Sequence, residues 1–348
     1  MENGYVNVRD GIIETLTASP TQRTVFDFGE DCRILPGAVN AHAHLELSQL
    51  RKPLDVPLVN GRRPFTDWIG KLMAFRQGGF YDAEMGVQSA TLLPELLVET
   101  AVIADIVPPV PAPDGNGSER IPFFELIAWT ENAAGAKLEE ARRLLKGNSG
   151  LSPHAPQTVH PTLWQEIVRW NVPLAVHLAE TPEELELLRF RRGPLLDLMR
   201  RADPNYDPEL VLLGDRPLDY LKFLAEANRV LIAHGNYLDD EEIAFLGEHS
   251  DRMSVVYCPR THAYFGHDPY PLRKMLGIGV CVALGTDSLA SNPDLSLLSE
   301  MKFVHRTYPD IPLETVVRMG TLNGAMALGV ADRWGTLEPG KIARFSFW

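Results

Sequence analysis

Apolar positions in this chain gather into short continuous runs, and polar residues with reactive side chains sit where those runs stop. The runs cover 34–39, 101–107, 121–129, 150–152, 172–177, 230–233, 253–257 and 280–284. Unbroken apolar runs of this length are the mark of parallel strands buried on both faces. Helical patterns fall between most of them, at 82–99, 131–145, 161–170, 218–227, 239–248 and 272–276, with two more at 295–306 and 313–328. Thr181-Pro182-Glu183-Glu184 is a helix start: a Thr N-cap, Pro at the first helical position and acids in the first turn. Residues 191–217, rich in Arg, Asp and Pro, read as an insertion, and 108–118 as a Pro/Gly loop. The ends differ. Residues 1–33 alternate (Val6, Val8; Ile12, Ile13; Val25, Phe26, Phe28) with Gly punctuation, which predicts short antiparallel strands, and 335–348 again reads as strand and turn.

Eight buried-type strands with intervening helices predict an α/β chain, a (β/α)8 or TIM barrel over 34–334. Residues 1–33 and 335–348 are expected to pair into a small accessory sheet. A doubly wound dinucleotide fold is disfavoured, because no G-x-G-x-x-G follows any strand.

Composition changes this picture little. The chain has 348 residues, 45% apolar and 23% charged, enough for one large barrel. Its net charge of −13 argues against a nucleic-acid surface. No apolar run approaches the ~18 residues of a membrane span. The first residues, Met1-Glu2-Asn3-Gly4-Tyr5, carry no basic-then-apolar signal, so a cytoplasmic location is expected. Cys32, Cys258 and Cys281 are odd in number and far apart, and suit neither a disulfide framework nor a C-x-x-C zinc site. A homodimer is the default expectation.

The chemistry lies at the strand ends, where barrel enzymes keep it. His42 and His44 follow the first strand, in H-x-H spacing that puts two imidazoles on one face. His154 follows the fourth, His177 and Glu180 the fifth, His234 the sixth, Arg260 the seventh and Asp287 the eighth. Five of ten histidines therefore fall at predicted strand ends, more than satisfied core histidines explain. Three imidazoles and a carboxylate suit one catalytic divalent ion: zinc, with iron or manganese as alternatives. His160, His249 and His305 read as solvated helix residues, while His262 and His267 lie in the loop after strand seven, on the binding face.

These residues resemble a known family. PGAVNAHAHLE, LSPHAP, VHLAETPEE, the AHG after strand six, VALGTDSLASNPDLSLLSEM, TLNGAMALG and GTLEPGK are similar, in order, to the amidohydrolase superfamily. Within it they resemble the mononuclear group of cytosine deaminases, chlorohydrolases and S-adenosylhomocysteine deaminases. The resemblance implies a barrel with a β-sandwich built from the chain ends, and metal ligands His42, His44, His177 and Asp287. His234 would ligate the ion or hold the attacking water. Binuclear relatives use a carboxylated lysine at a strand end. Lys52, Lys71, Lys137, Lys146, Lys222, Lys274, Lys302 and Lys341 all fall in predicted loops or helices, so one metal is expected. One departure is Arg344, which stands where the family usually has Asp.

Glu180, three residues beyond His177, is the expected proton shuttle. Turning an aromatic C–NH2 into C=O requires an activated water and a protonated ring nitrogen, and a carboxyl group can supply the second. His234 and Asp287 would take the water proton and pass it to departing ammonia. HAHLELS and CPRTHAYFGH further resemble the aminodeoxyfutalosine deaminases of menaquinone biosynthesis. That resemblance implies a nucleoside substrate, a 5′-substituted adenosine. His154 and Glu46 would face the ribose, and Arg260, His262 or His267 a carboxylate, with Arg62 and Arg63 alternatives on a lid loop. The competing readings are a broader S-adenosylhomocysteine or methylthioadenosine deaminase, and a triazine, chloro- or amide hydrolase.

Overall fold

The structure is a computed structural model that describes residues 4–19, 26–29, 31–79, 81–108 and 118–348. Val25 and most of the 108–118 loop lie outside the described residues.

Eight parallel strands form one sheet in chain order: β4 (Ala38–Ala43), β5 (Thr100–Val107), β6 (Glu119–Leu126), β7 (Gly150–Pro153), β8 (Leu174–Leu178), β9 (Val230–His234), β10 (Met253–Tyr257) and β11 (Cys281–Leu284). Helices connect most successive strands and cover the outside, giving the expected (β/α)8 barrel. Alternation along each strand builds two layers. Leu174, Val176 and Leu178 of β8, with Val230 and Ile232 of β9, pack against helix residues such as Trp164, Tyr220 and Leu221. The residues between them, Ala175 and Leu231, join Val102, Phe123, Val256 and Ala283 in a second cluster.

The barrel closes at the site itself. The Thr286 and Asp287 amides both donate to the His42 carbonyl at 3.0 Å, and the His44 amide donates to the Asp287 carbonyl at 3.3 Å. The Asn40 side chain ties the same seam. Its Nδ2 donates to Thr286 Oγ1 at 2.7 Å, and its Oδ1 accepts from the Thr286 amide (3.2 Å) and the His42 amide (3.3 Å). Gly285 is needed here, since a Cβ on it would lie 2.8 Å from the His42 Cβ.

The predicted first strand is two strands. β3 (Ile34–Pro36) leaves the barrel to pair antiparallel with β12 (Phe345–Phe347), and only β4 enters the barrel. Pro36-Gly37 makes the break, where the Gly37 amide donates to the Arg344 carbonyl at 2.8 Å. Near the chain ends, β1 (Tyr5–Arg9) and β2 (Ile12–Thr17) form an antiparallel hairpin, bridged to the C-terminal segment at Ile12 and Ile342. Phe26 and Phe28 are in no strand. The helix expected over 82–99 is two, Ala83–Ala90 and Pro94–Val98, because Pro94 removes an amide from the ladder. Arg344, the residue that departs from the family pattern, donates to the Leu96 carbonyl at 3.3 Å and the Leu97 carbonyl at 2.5 Å.

Candidate metal and catalytic site

The ends of β4 and β8 bring His42, His44 and His177 together, each with a ring nitrogen within 4.8 Å of the others. The His44 and His177 Nε2 atoms are 3.3 Å apart, and His42 Nε2 is buried with no hydrogen-bond partner among the described residues. His177 Nδ1 meets the His154 carbonyl at 2.9 Å, which fixes its proton there and leaves the Nε2 lone pair facing the cluster. Burial, reinforced by the neighbouring imidazoles, holds His42 and His44 well below the usual histidine range and brings His177 down to about 4. Neutral imidazoles converging through lone pairs are the donor set that a divalent ion needs. The cluster therefore fits a metal.

Asp287 enters from the other side of the barrel seam, with Oδ1 3.8 Å from His44 Nε2 and Oδ2 accepting from Ser291 Oγ at 2.9 Å. Burial pushes its carboxyl up to about 7. Asp287 and His234 both have left-handed backbone, at φ 56° and 69°. Strand alternation alone would send His234 outward with Val230 and Ile232. The left-handed turn instead places its ring centroid 5.5 Å from those of His42 and His177.

Glu180 follows in a tight turn whose Ala179 is also left-handed, at φ 53°. The turn is held by the buried Glu184 carboxylate, which accepts the Ala179 amide at 2.8 Å and the Glu180 amide at 2.9 Å. Asn236 Nδ2 donates to the Glu180 carbonyl at 2.9 Å. The Glu180 carboxyl itself lies 3.6 Å from His234 Nε2. Burial first, then the nearby Asp287, Glu184 and Glu183 carboxyls, raise it well above the usual carboxylic range. A shift in that direction, beside the imidazole cluster, favours the protonated form that a proton donor needs.

The remaining expected residues separate into two groups. His154 stays at the site: its ring centroid is 5.0 Å from that of His177, and its Nδ1 meets Thr158 Oγ1 at 2.9 Å. The segment after β10, expected to be a loop, starts as a helix, Pro259–Phe265; His262 within it packs on His267 just beyond it at 5.3 Å, with His267 Nδ1 3.0 Å from the Tyr237 hydroxyl. Arg260 is a correction. Its guanidinium makes a two-pronged pair with Asp294 (2.6 and 2.9 Å) and a third contact to the buried Glu300 (2.7 Å), so no face is left for a substrate carboxylate. Glu46 is another: it is 1% exposed, with its oxygens on Arg76 (2.5 Å) and the Tyr81 hydroxyl (2.8 Å), rather than open to a ribose.

Sequence reasoning passed over Asn40, Asp105, Arg76, Tyr81 and Glu184. A polar Asn40 inside an apolar run was a readable signal. So was Asp105 within AVIADIV: its carboxylate accepts the Leu45 amide at 2.9 Å, just after His44, and pairs with Arg120 at 2.6 Å. Arg76 and Tyr81 gave none, since they reach Glu46 from 30 and 35 residues away.

Comparison with known proteins agrees with this architecture. The amidohydrolase family pattern matches residues 111–348. The 5-methylthioadenosine/S-adenosylhomocysteine deaminase of Moorella thermoacetica is 30% identical over 344 residues, covering 92% of this chain and 74% of that one. The Pyrococcus furiosus protein of the same name is 34% identical over 207 residues, 56% of this chain but only 44% of its own length. Among solved structures, Helicobacter pylori aminofutalosine deaminase in complex with methylthio-coformycin has the same fold, with a TM-score of 0.79 at 20% identity over 98% of this chain and 86% of that one. With a match over more than half its length, on a barrel whose strand ends carry the histidine cluster, the chain belongs to the amidohydrolase family.

Proposed function

We propose that the protein is a metal-dependent hydrolytic deaminase that converts the 6-amino group of a 5′-substituted adenosine to 6-oxo, releasing ammonia. The observation that carries this reading is the position of the Glu180 carboxyl, 3.6 Å from His234 and beside the imidazole cluster, where burial and the neighbouring carboxyls raise its pKa. Amide and ester hydrolysis need no proton delivered to a ring nitrogen; aromatic deamination does. The deaminase names of relatives covering most of this chain support the same choice.

His42, His44, His177 and Asp287 would hold the ion, with zinc the expected metal. A bound divalent ion lowers the pKa of a coordinated water toward about 7. The protein's own groups do the rest. Glu180 donates its proton to ring nitrogen N1, which lets C6 accept oxygen from water and become tetrahedral. His234 and Asp287 take the water proton. A proton returned to the amino group lets the C6–N bond break; ammonia leaves, and the C6 hydroxyl gives its remaining proton back to Glu180 as the 6-oxo group forms. The buried site excludes bulk water from this exchange, since His42, His177, His234 and Asp287 are 1%, 6%, 3% and 6% exposed.

Aminodeoxyfutalosine, and with it a place in menaquinone biosynthesis, is the specific substrate we favour. The test follows 6-amino to 6-oxo conversion by ultraviolet absorbance, with metal-replete protein and aminodeoxyfutalosine, S-adenosylhomocysteine, methylthioadenosine, adenosine and cytosine. Strong preference for the first is the expected result. Comparable rates on all 5′-substituted adenosines would keep the chemistry and remove the specific assignment. Inactivity on all five, with about one metal per chain, would overturn the deaminase reading.

A further inference from the structure

The ladder between β4 and β5 is irregular at the end that carries the histidines. Asn40 pairs with Ile103 but Ala43 pairs with Asp105, so β4 holds one extra residue between those two pairs. Such a bulge re-aims the side chains beside it, and His42 lies inside it. Just past the bulge the chain leaves the strand: His44 is the N-cap of the short 3-10 helix Leu45–Leu47, and no side-chain hydrogen bond caps that helix. Two consecutive amides hold the backbone there. The His44 amide donates to the Asp287 carbonyl at 3.3 Å, across the barrel seam, and the Leu45 amide donates to the Asp105 carboxylate at 2.9 Å, on β5. The chain at His44 is therefore tied on both sides, and on one side the tie is a side chain.

Asp105 is a costly residue for that task. It is fully buried, and strand alternation puts it on the face of Ile103, which packs with Ala43, Leu45, Val87 and Leu96. Its second oxygen accepts from Arg120 Nε at 2.6 Å, on β6, and that side chain is only 7% exposed. A buried ion pair returns little net stability, because desolvating two charges offsets their attraction, and apolar residues of similar volume often do as well. Stability is thus a weak reason for a carboxylate here. Fixing one backbone amide is a better one: the guanidinium braces one oxygen through a charge-assisted bond, and the other oxygen is left as the acceptor for Leu45.

We propose that Asp105 is a positioning residue for His44. It ends β4 at that histidine and holds the backbone where the His44 Nε2 meets that of His177, so the metal affinity of the cluster depends on a side chain outside the ligand set. The proposal rests on the metal reading of the cluster.

The experiment measures the zinc dissociation constant of metal-stripped protein by competition with a chelating indicator, beside urea unfolding of the same stripped samples. Two double variants carry the comparison, Asp105→Asn/Arg120→Met and Asp105→Leu/Arg120→Met. Both remove the ion pair; only the first leaves an acceptor for the Leu45 amide. The asparagine variant should bind zinc within a few-fold of the wild type. The leucine variant should bind about 10- to 100-fold more weakly, the usual cost of losing a group that orients a ligand, at a similar unfolding midpoint. Equal zinc affinity in the two, or a loss that tracks the unfolding midpoint, would overturn the positioning role. Should the leucine variant fail to fold, Asp105→Asn alone takes its place. With Arg120 present, the guanidinium and the Leu45 amide compete for one oxygen, so the single variant should bind zinc more weakly than Asp105→Asn/Arg120→Met, and equal binding would overturn the role. A wild-type protein that binds no zinc would instead overturn the metal reading itself.

Discussion

The rim of strand ends and the Asn60–Gly61 turn are built differently. The rim residues His42, His177, His234 and Asp287 are nearly devoid of exposure and are fixed by barrel strands and a seam of backbone bonds through Asn40 and Thr286. The turn is exposed and rests on a few bonds to the segment after β10. On the rim, burial disfavours charge, lowering the imidazoles and raising the Glu180 carboxyl; on the turn, Arg62 keeps its charge in water beside Asp268. The lesson is a division of labour. Bond-making groups need the positional accuracy of the barrel, whereas groups that select a substituent can sit on a loop.

The sharpest break of the comparison is on the rim. His177→Ala should lose the bound metal and bring turnover below detection, measured by elemental analysis and ammonia release; a variant that keeps one metal per chain would contradict the ligand assignment. Next is Arg260→Gln, which tests whether that arginine belongs to the scaffold. Leaving the buried Glu300 unpaired should cost roughly 3–5 kcal/mol in urea unfolding, with KM for a 5′-substituted adenosine unchanged. A raised KM in a stable variant would return Arg260 to the binding face.

A third prediction uses Glu184, whose carboxyl burial raises from 4.5 to about 7. A carboxyl raised on folding binds its proton more tightly in the native state. Its stabilising contribution is therefore fully present below pH 4.5 and is lost as pH rises through about 7. Glu184→Gln removes this dependence, so wild-type stability relative to the variant should fall by about 3 kcal/mol across that window. A difference independent of pH would show that Glu184 is ionised throughout. The smallest expected effect is in the turn. Asn60→Ala puts a less tolerant residue at positive φ and should cost only ~1 kcal/mol in a urea titration.

The barrel was legible because eight largely apolar runs, with helical patterns between most of them, permit few other arrangements. His42, His44, His177 and Glu180 were legible because their spacing to the ends of those runs is local information. The break at Pro36-Gly37 was harder to see, since Ile34–Pro36 and Ala38–Ala43 read as one run until β12 takes the first part as its partner. Arg260 could not be placed from sequence. Asp294 and Glu300, which hold it, lie 34 and 40 residues away, and nothing in local spacing shows that they return to it. The same holds for Glu46 with Arg76 and Tyr81. Left-handed backbone at Ala179, His234 and Asp287 also has no signature in the sequence, yet it shapes the turns that carry the site.

The most direct test of the central claim is Glu180→Gln in metal-replete protein, assayed by 6-amino to 6-oxo conversion of a 5′-substituted adenosine with metal content measured on the same sample. Loss of the proton donor predicts a fall in kcat of about 10²–10⁴-fold at unchanged metal content. Full activity in that variant, with one metal per chain, would contradict the assignment of Glu180 as the acid that makes the ring accept water.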